Sequence, residues 1–162
     1  MVDVTLDIRT VRRGTYVLRS RVFEGLRIAM NRREEWGLFD PHIDFTFASD
    51  GDTVSAFTLS AAPEILLPEW QHRPDADEAH AQAWDAMLAA LTRHEETHLD
   101  NFNRWANTLR RTMRRQRPFP AAEFQARYEG FNDDLDTAQE RYDRTTNHGE
   151  REGVRLDDPP SG

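Results

Sequence analysis

Residues 84–105 read Trp84-Asp85-Ala86-Met87-Leu88-Ala89-Ala90-Leu91-Thr92-Arg93-His94-Glu95-Glu96-Thr97-His98-Leu99-Asp100-Asn101-Phe102-Asn103-Arg104-Trp105. Trp84, Leu88, Leu91, Glu95, His98, Phe102 and Trp105 recur every three or four residues, and Leu109 and Met113 continue the series. That spacing predicts one long amphipathic helix from about Asp77 to Arg115. Two of its inward positions are not apolar. Glu95 and His98 stand where Leu or Phe would otherwise be, and burying an acid and an imidazole is costly unless something pairs with them.

Working outward, Arg117-Pro118-Phe119-Pro120 breaks the helix. A second stripe follows through Phe124, Tyr128, Phe131, Leu135, Ala138 and Tyr142, and it stops near Asn147-His148-Gly149, with Gly149 as terminator. Upstream, Val2, Val4, Leu6 and Ile8 alternate with polar residues as in a half-buried strand. Gly14-Thr15 breaks that alternation. Thr15 is read as the cap of a helix that carries Leu18, Val22, Leu26, Ala29 and Met30 to about Arg33. Ile43, Phe45 and Phe47, the turn Ser49-Asp50-Gly51-Asp52, and Thr53 to Leu59 form a hairpin signal, with a bulge where the second strand's alternation slips. Pro63 and Pro68 are read as ending the strand region, so Leu67-Pro68-Glu69-Trp70 becomes an apolar knuckle. The expected architecture is α+β: a small antiparallel sheet with one helix, then a long antiparallel helical hairpin. Residues 1–149 form a single domain, and 150–162 are expected to be a flexible tail.

Composition narrows the chemistry. The chain has 162 residues, a net charge of −8, no cysteine and only arginine among its long cationic side chains. Disulfides, thiolate metal sites and lysine Schiff bases are excluded. The acidic balance argues against a nucleic-acid partner. No apolar run is long enough to span a membrane, and none is expected as a partner. The N-terminus carries no signal-peptide pattern, which makes a cytoplasmic location the default expectation.

His94-Glu95-Glu96-Thr97-His98 is an H-E-x-x-H motif. On a helix the two histidines lie on one face about 6 Å apart and can converge on one ion. The chemistry that uses this spacing is zinc held by His94 and His98, with Glu95 as general base on the metal's water. An extended pattern with a histidine six residues further on fails, because Asn101 and Arg104 occupy the relevant positions. The third ligand is sought by register. With the hairpin turning near Phe119, the site should face the region around Tyr142, so Glu140, Tyr142, Asp143 and His148 are candidates. His148 is the first choice, as an imidazole that can fold back from the helix end. Asp143 is the alternative ligand, or an orienter of one imidazole. Tyr142 is either a core aromatic or a hydroxyl that stabilises an oxyanion. Thr53 to Leu59 is read as an edge strand able to pair with an extended peptide.

Leu67-Pro68-Glu69-Trp70, Trp84 ten residues before the H-E-x-x-H, and the closing Tyr142-Asp143-Arg144-Thr145-Thr146-Asn147-His148-Gly149 together resemble the bacterial domain of unknown function 922 family. Its members are described as secreted zinc-dependent proteases with a zincin-like H-E-x-x-H. The resemblance implies zinc on His94 and His98, Glu95 as base, a role for His148 and Asp143, a peptide or protein substrate, and a secreted or periplasmic location. The residues alone leave two alternatives open: a non-catalytic structural zinc or interaction module, and a metal-free hairpin that offers a charged face to a partner.

Overall fold

A computed structural model describes residues 1–159; the expectation of a flexible tail at 160–162 lies outside them. The described residues form β1 (Asp3–Ile8), β2 (Arg12–Leu18), α1 (Phe23–Asn31), β3 (Leu38–Asp40), β4 (Ile43–Asp50), β5 (Thr53–Ala61), β6 (Glu64–Trp70), α2 (Glu78–Arg115) and α3 (Phe124–Thr146). The fold is α+β. The strands make two three-stranded sheets, in the orders β1-β5-β4 and β2-β6-β3.

Both sheets are mixed rather than antiparallel. β1 runs parallel to β5 and β2 parallel to β6, while β4 and β3 are antiparallel to the same two strands. The two sheets follow each other along the same three stretches of chain, which bend near Pro41 and Pro63. At the bend, backbone bonds run from the amide of Arg12 to the carbonyl of Pro63 and from the amide of Ala62 to that of Pro41. The hairpin bulge falls in the second strand: Ser49 pairs with Val54 and Ala48 with Ala56, so Ser55 is the extra residue. Val54 and Phe57 thereby both face inward.

Three local readings are corrected. The helix expected from Thr15 is a strand as far as Leu18, and α1 starts only at Phe23. Thr15, Tyr16 and Val17 are β-formers, and pairing with β6 outweighs the glycine break. The knuckle Leu67-Pro68-Glu69-Trp70 belongs to β6. Proline is tolerated there because β3 reaches only Leu66, leaving β6 with a neighbour on one side. Thr53 to Leu59 is the centre of its sheet, with β1 and β4 on either side, so it has no free edge for a peptide.

The long helix is close to its expected bounds. Asp77 caps it, accepting a hydrogen bond from the amide of His80. Its 38 residues extend about 57 Å at ~1.5 Å per residue, enough to serve two cores. Its C-terminal half packs Phe102, Trp105, Leu109 and Met113 with α3 and the first sheet. Its N-terminal half packs Trp84, Met87 and Leu91 with α1, Trp70, Val154 and Leu156. The H-E-x-x-H lies between the two. Among the described residues no helix is long and apolar enough to cross a membrane.

The segment after Glu150 is not frayed as far as Leu156. A short 3-10 turn, Glu150–Glu152, leads into Val154 and Leu156, which are 7% and 3% exposed. Arg27 fastens it, donating to the carbonyl of Leu156 and to Asp158. Composition suggested disorder because the segment is polar, but two apolar side chains suffice to dock it.

Candidate metal centre

His94, Glu95 and His98 are 4%, 3% and 8% exposed, which makes them a buried ionisable cluster. α2 supplies all three. α3 approaches antiparallel, and its register is set by apolar packing and by the Trp105 indole, which donates to the carbonyl of Phe131. That register puts Gln139 against His98 and Asp143 against both imidazoles.

One carboxylate oxygen closes a triangle. Asp143 Oδ1 lies 3.1 Å from His94 Nε2 and 2.9 Å from His98 Nε2, and the two Nε2 atoms are 3.3 Å apart. A tetrahedral zinc with bonds of ~2.0–2.1 Å separates its ligand atoms by roughly 3.3 Å, so the donor set fits the ion in type and spacing. His94, His98 and Asp143 form a group able to hold a metal.

The outer nitrogens are fixed. His94 Nδ1 is 2.9 Å from Glu152 Oε2, and His98 Nδ1 is 2.8 Å from Gln139 Oε1. Gln139 is oriented in turn, because its amide nitrogen donates to the His98 carbonyl. Each Nδ1 therefore carries the proton, and in the neutral ring each Nε2 lone pair faces the centre.

Glu95 sits beside this group. Burial pushes its carboxyl up to about 7, against the pull of His98 and His94. The backbone of Gly37 lies against it: a Cβ there would come within 2.5 Å of Glu95 Oε1. Phe39 of β3 stacks parallel to the His98 ring at 6.5 Å. A cavity of about 430 Å³ opens at His94 and one of about 280 Å³ at His98 and Asp143, with Glu35 and Glu95 lining both.

Tyr142 lies over the histidines, its ring stacked 4.8 Å from that of His94. Its hydroxyl donates to Glu152 at 2.8 Å, on the Nδ1 side of His94. There it steadies the carboxylate that holds the imidazole. Asp143, the alternative ligand of the sequence reading, occupies the third corner. His148 is brought to the same carboxylate, but in a different group, with Glu35 and Asp143. Asn147 and His148 have φ of 52° and 51° and Gly149 of 83°, a left-handed run that carries the chain round the end of α3. Gly149 is required there, since a Cβ would lie 2.6 Å from Val154 and 3.2 Å from the His94 ring. Glu140 is exposed and outside both groups.

Sequence reasoning missed Glu152, Gln139, Glu35 and Gly37. Gln139 carries a usable signal, four residues before Asp143 on the inward face of its helix. Glu152 lies in a single 3-10 turn and Glu35 in a loop, where no periodicity points.

No curated protein and no solved structure matches the chain. The family model for a bacterial protein of unknown function (DUF922) matches residues 14–149, a span that contains the three converging side chains and Glu95, and the chain belongs to that family.

Proposed function

We propose that this protein is a zinc-dependent hydrolase, and specifically a metallopeptidase, with His94, His98 and Asp143 as metal ligands and Glu95 as general base. The observation that carries the reading is the triangle of two Nε2 atoms and one carboxylate oxygen beside a buried carboxyl. Three protein ligands of this kind leave a coordination position open, as in catalytic rather than structural zinc sites. A bound zinc would supply Lewis acidity and lower the pKa of its water.

The chain's own residues do the rest. Glu95, buried beside the two imidazoles and lining both cavities, stands where it can accept a proton and return it to a leaving amine. Asp143 and the two imidazoles hold the centre's charge, and Glu152 and Gln139 keep both rings in one tautomer. The two flanking cavities supply room for a chain on either side of a scissile amide. β3 is an edge strand, and the segment leading into it lies against Glu95, so it replaces β5 as the place for an extended peptide to pair.

Elemental analysis with a peptide-cleavage assay tests the reading. The wild type should hold one zinc per chain and cleave peptides. Asp143→Ala should lose the metal. Glu95→Gln should keep it and lose turnover by about 10²–10⁴-fold. Retained turnover in Glu95→Gln would falsify the mechanism. A second reading, a structural zinc site, is favoured by one observation: His148 stands at the same carboxylate and could close the fourth position. Zinc in the wild type and its loss in both Asp143→Ala and His148→Ala, without cleavage of any peptide, would select it.

A further inference from the structure

The larger cavity opens directly from Glu95 and His94. Its volume, about 430 Å³, is in the range of pockets that take small organic groups. Trp36, Leu91, Val154 and Leu156 give it apolar walls. These walls are set before any ligand arrives. Leu91, Val154 and Leu156 are anchored in the second core. The Trp36 indole donates to Asn31, and its carbonyl accepts from the Tyr16 hydroxyl at 2.5 Å.

The rim is acidic. Glu34, Glu35, Glu150 and Asp157 line it together with Arg155, all of them exposed. The other arginine, Arg27, is already held by Glu24 and Asp158. The apolar walls take a bulky apolar side chain, and the negative rim repels an acidic one.

Resting on the hydrolase reading, we infer that this cavity is the side-chain pocket of a peptide site, and that it selects a bulky apolar residue, aromatic or branched, beside the amide held at Glu95. Val154 and Leu156, which form one wall, lie beyond residues 14–149 that match the family model.

The first test needs neither metal nor turnover. Methyl-labelled, metal-free protein is titrated with N-acetyl-phenylalaninamide, N-acetyl-alaninamide and N-acetyl-aspartamide, and the methyl resonances of Leu91, Val154 and Leu156 are followed. The phenylalanine compound should move them and the other two should not. Trp36→Ala should weaken that response several-fold. Absence of a shift with the phenylalanine compound, or equal shifts with all three, overturns the pocket.

The second test profiles the zinc-loaded wild type on a peptide mixture. Cleavage beside Phe, Leu or Tyr should exceed cleavage beside Ala by about tenfold or more in kcat/KM. Cleavage without that preference overturns the pocket and leaves the hydrolase reading intact. Selective binding of the phenylalanine compound without any cleavage supports the pocket and overturns the hydrolase reading.

Discussion

Asp143 offers one oxygen to two imidazoles, and that sharing sets the protonation of the centre. Burial works against charge on His94 and His98. Hydrogen bonds to Asp143, joined by Glu152 at His94 and Gln139 at His98, outweigh it and raise both imidazoles above their ordinary value. Burial would raise the Asp143 carboxyl, but its bonds to the two histidines hold it well below the usual range. Glu95 moves the other way, from 4.5 to about 7. In the metal-free protein His94, His98 and Glu95 all bind protons more tightly folded than unfolded. The stability they contribute is full below their unfolded pKa values and is lost as pH rises through the folded ones. Metal-free protein should therefore melt at a lower temperature at pH 8 than at pH 5. Zinc should reverse the trend, because it needs deprotonated imidazoles. A pH series of melting curves with and without zinc reads both slopes, and a metal-free Tm that rises from pH 5 to pH 8 would contradict the assignment.

Gly37 makes a second prediction at the same scale. A methyl group there collides with Glu95 Oε1 and meets no atom of the triangle formed by His94, His98 and Asp143. On the proposed mechanism, Gly37→Ala should leave zinc content at the wild-type level and lower kcat by tenfold or more, because small misplacements of a general base are costly. Equal loss of zinc and of rate would mean that the glycine supports the whole centre rather than the carboxylate.

Among the elements, the two long helices were legible and the strands only partly so. The stripe from Trp84 to Met113 repeats often enough to specify a helix on its own, and hairpin register then pointed to residues near Tyr142, where Asp143 closes the triangle. What was not legible depended on partners distant in sequence. β2 becomes a strand by pairing with β6, more than fifty residues later, and Pro68 is acceptable only because β3 is short. The place of His148, in a group with Glu35 and Asp143, follows from three left-handed residues that periodicity cannot forecast. The turn after α3 has a measurable task. Glu152 fixes the outer nitrogen of His94, and removing such a partner typically weakens metal binding about 10–100-fold. Glu152→Ala, titrated against a zinc chelator, should show that loss with all three ligands intact; unchanged affinity would reduce the turn to packing alone.

For the molecule as a whole, the centre lies where two cores meet on one helix. It joins α2 to α3 through Asp143 and to the following turn through Glu152. Metal bound there adds to the stability of every element it joins. Free zinc at a hundred times its dissociation constant should stabilise the fold by about 2.7 kcal/mol, seen as a higher Tm that a chelator reverses. A Tm indifferent to zinc would place the ion, if any, outside this centre.

The 38-residue helix also governs which insertions the chain can accept. The link between α2 and α3 lies far from the centre, and the pairing of Trp105 with Phe131 sets the register independently of it. Extra residues at the exposed Arg117 and Pro118, ahead of the buried Phe119, would lengthen a loop and leave the triangle alone. A single residue added between Phe131 and Asp143 would turn every later side chain by about 100° and swing the carboxylate away from both imidazoles. Length variation in this fold should thus collect at the distal loop and be absent from the final turns of α3.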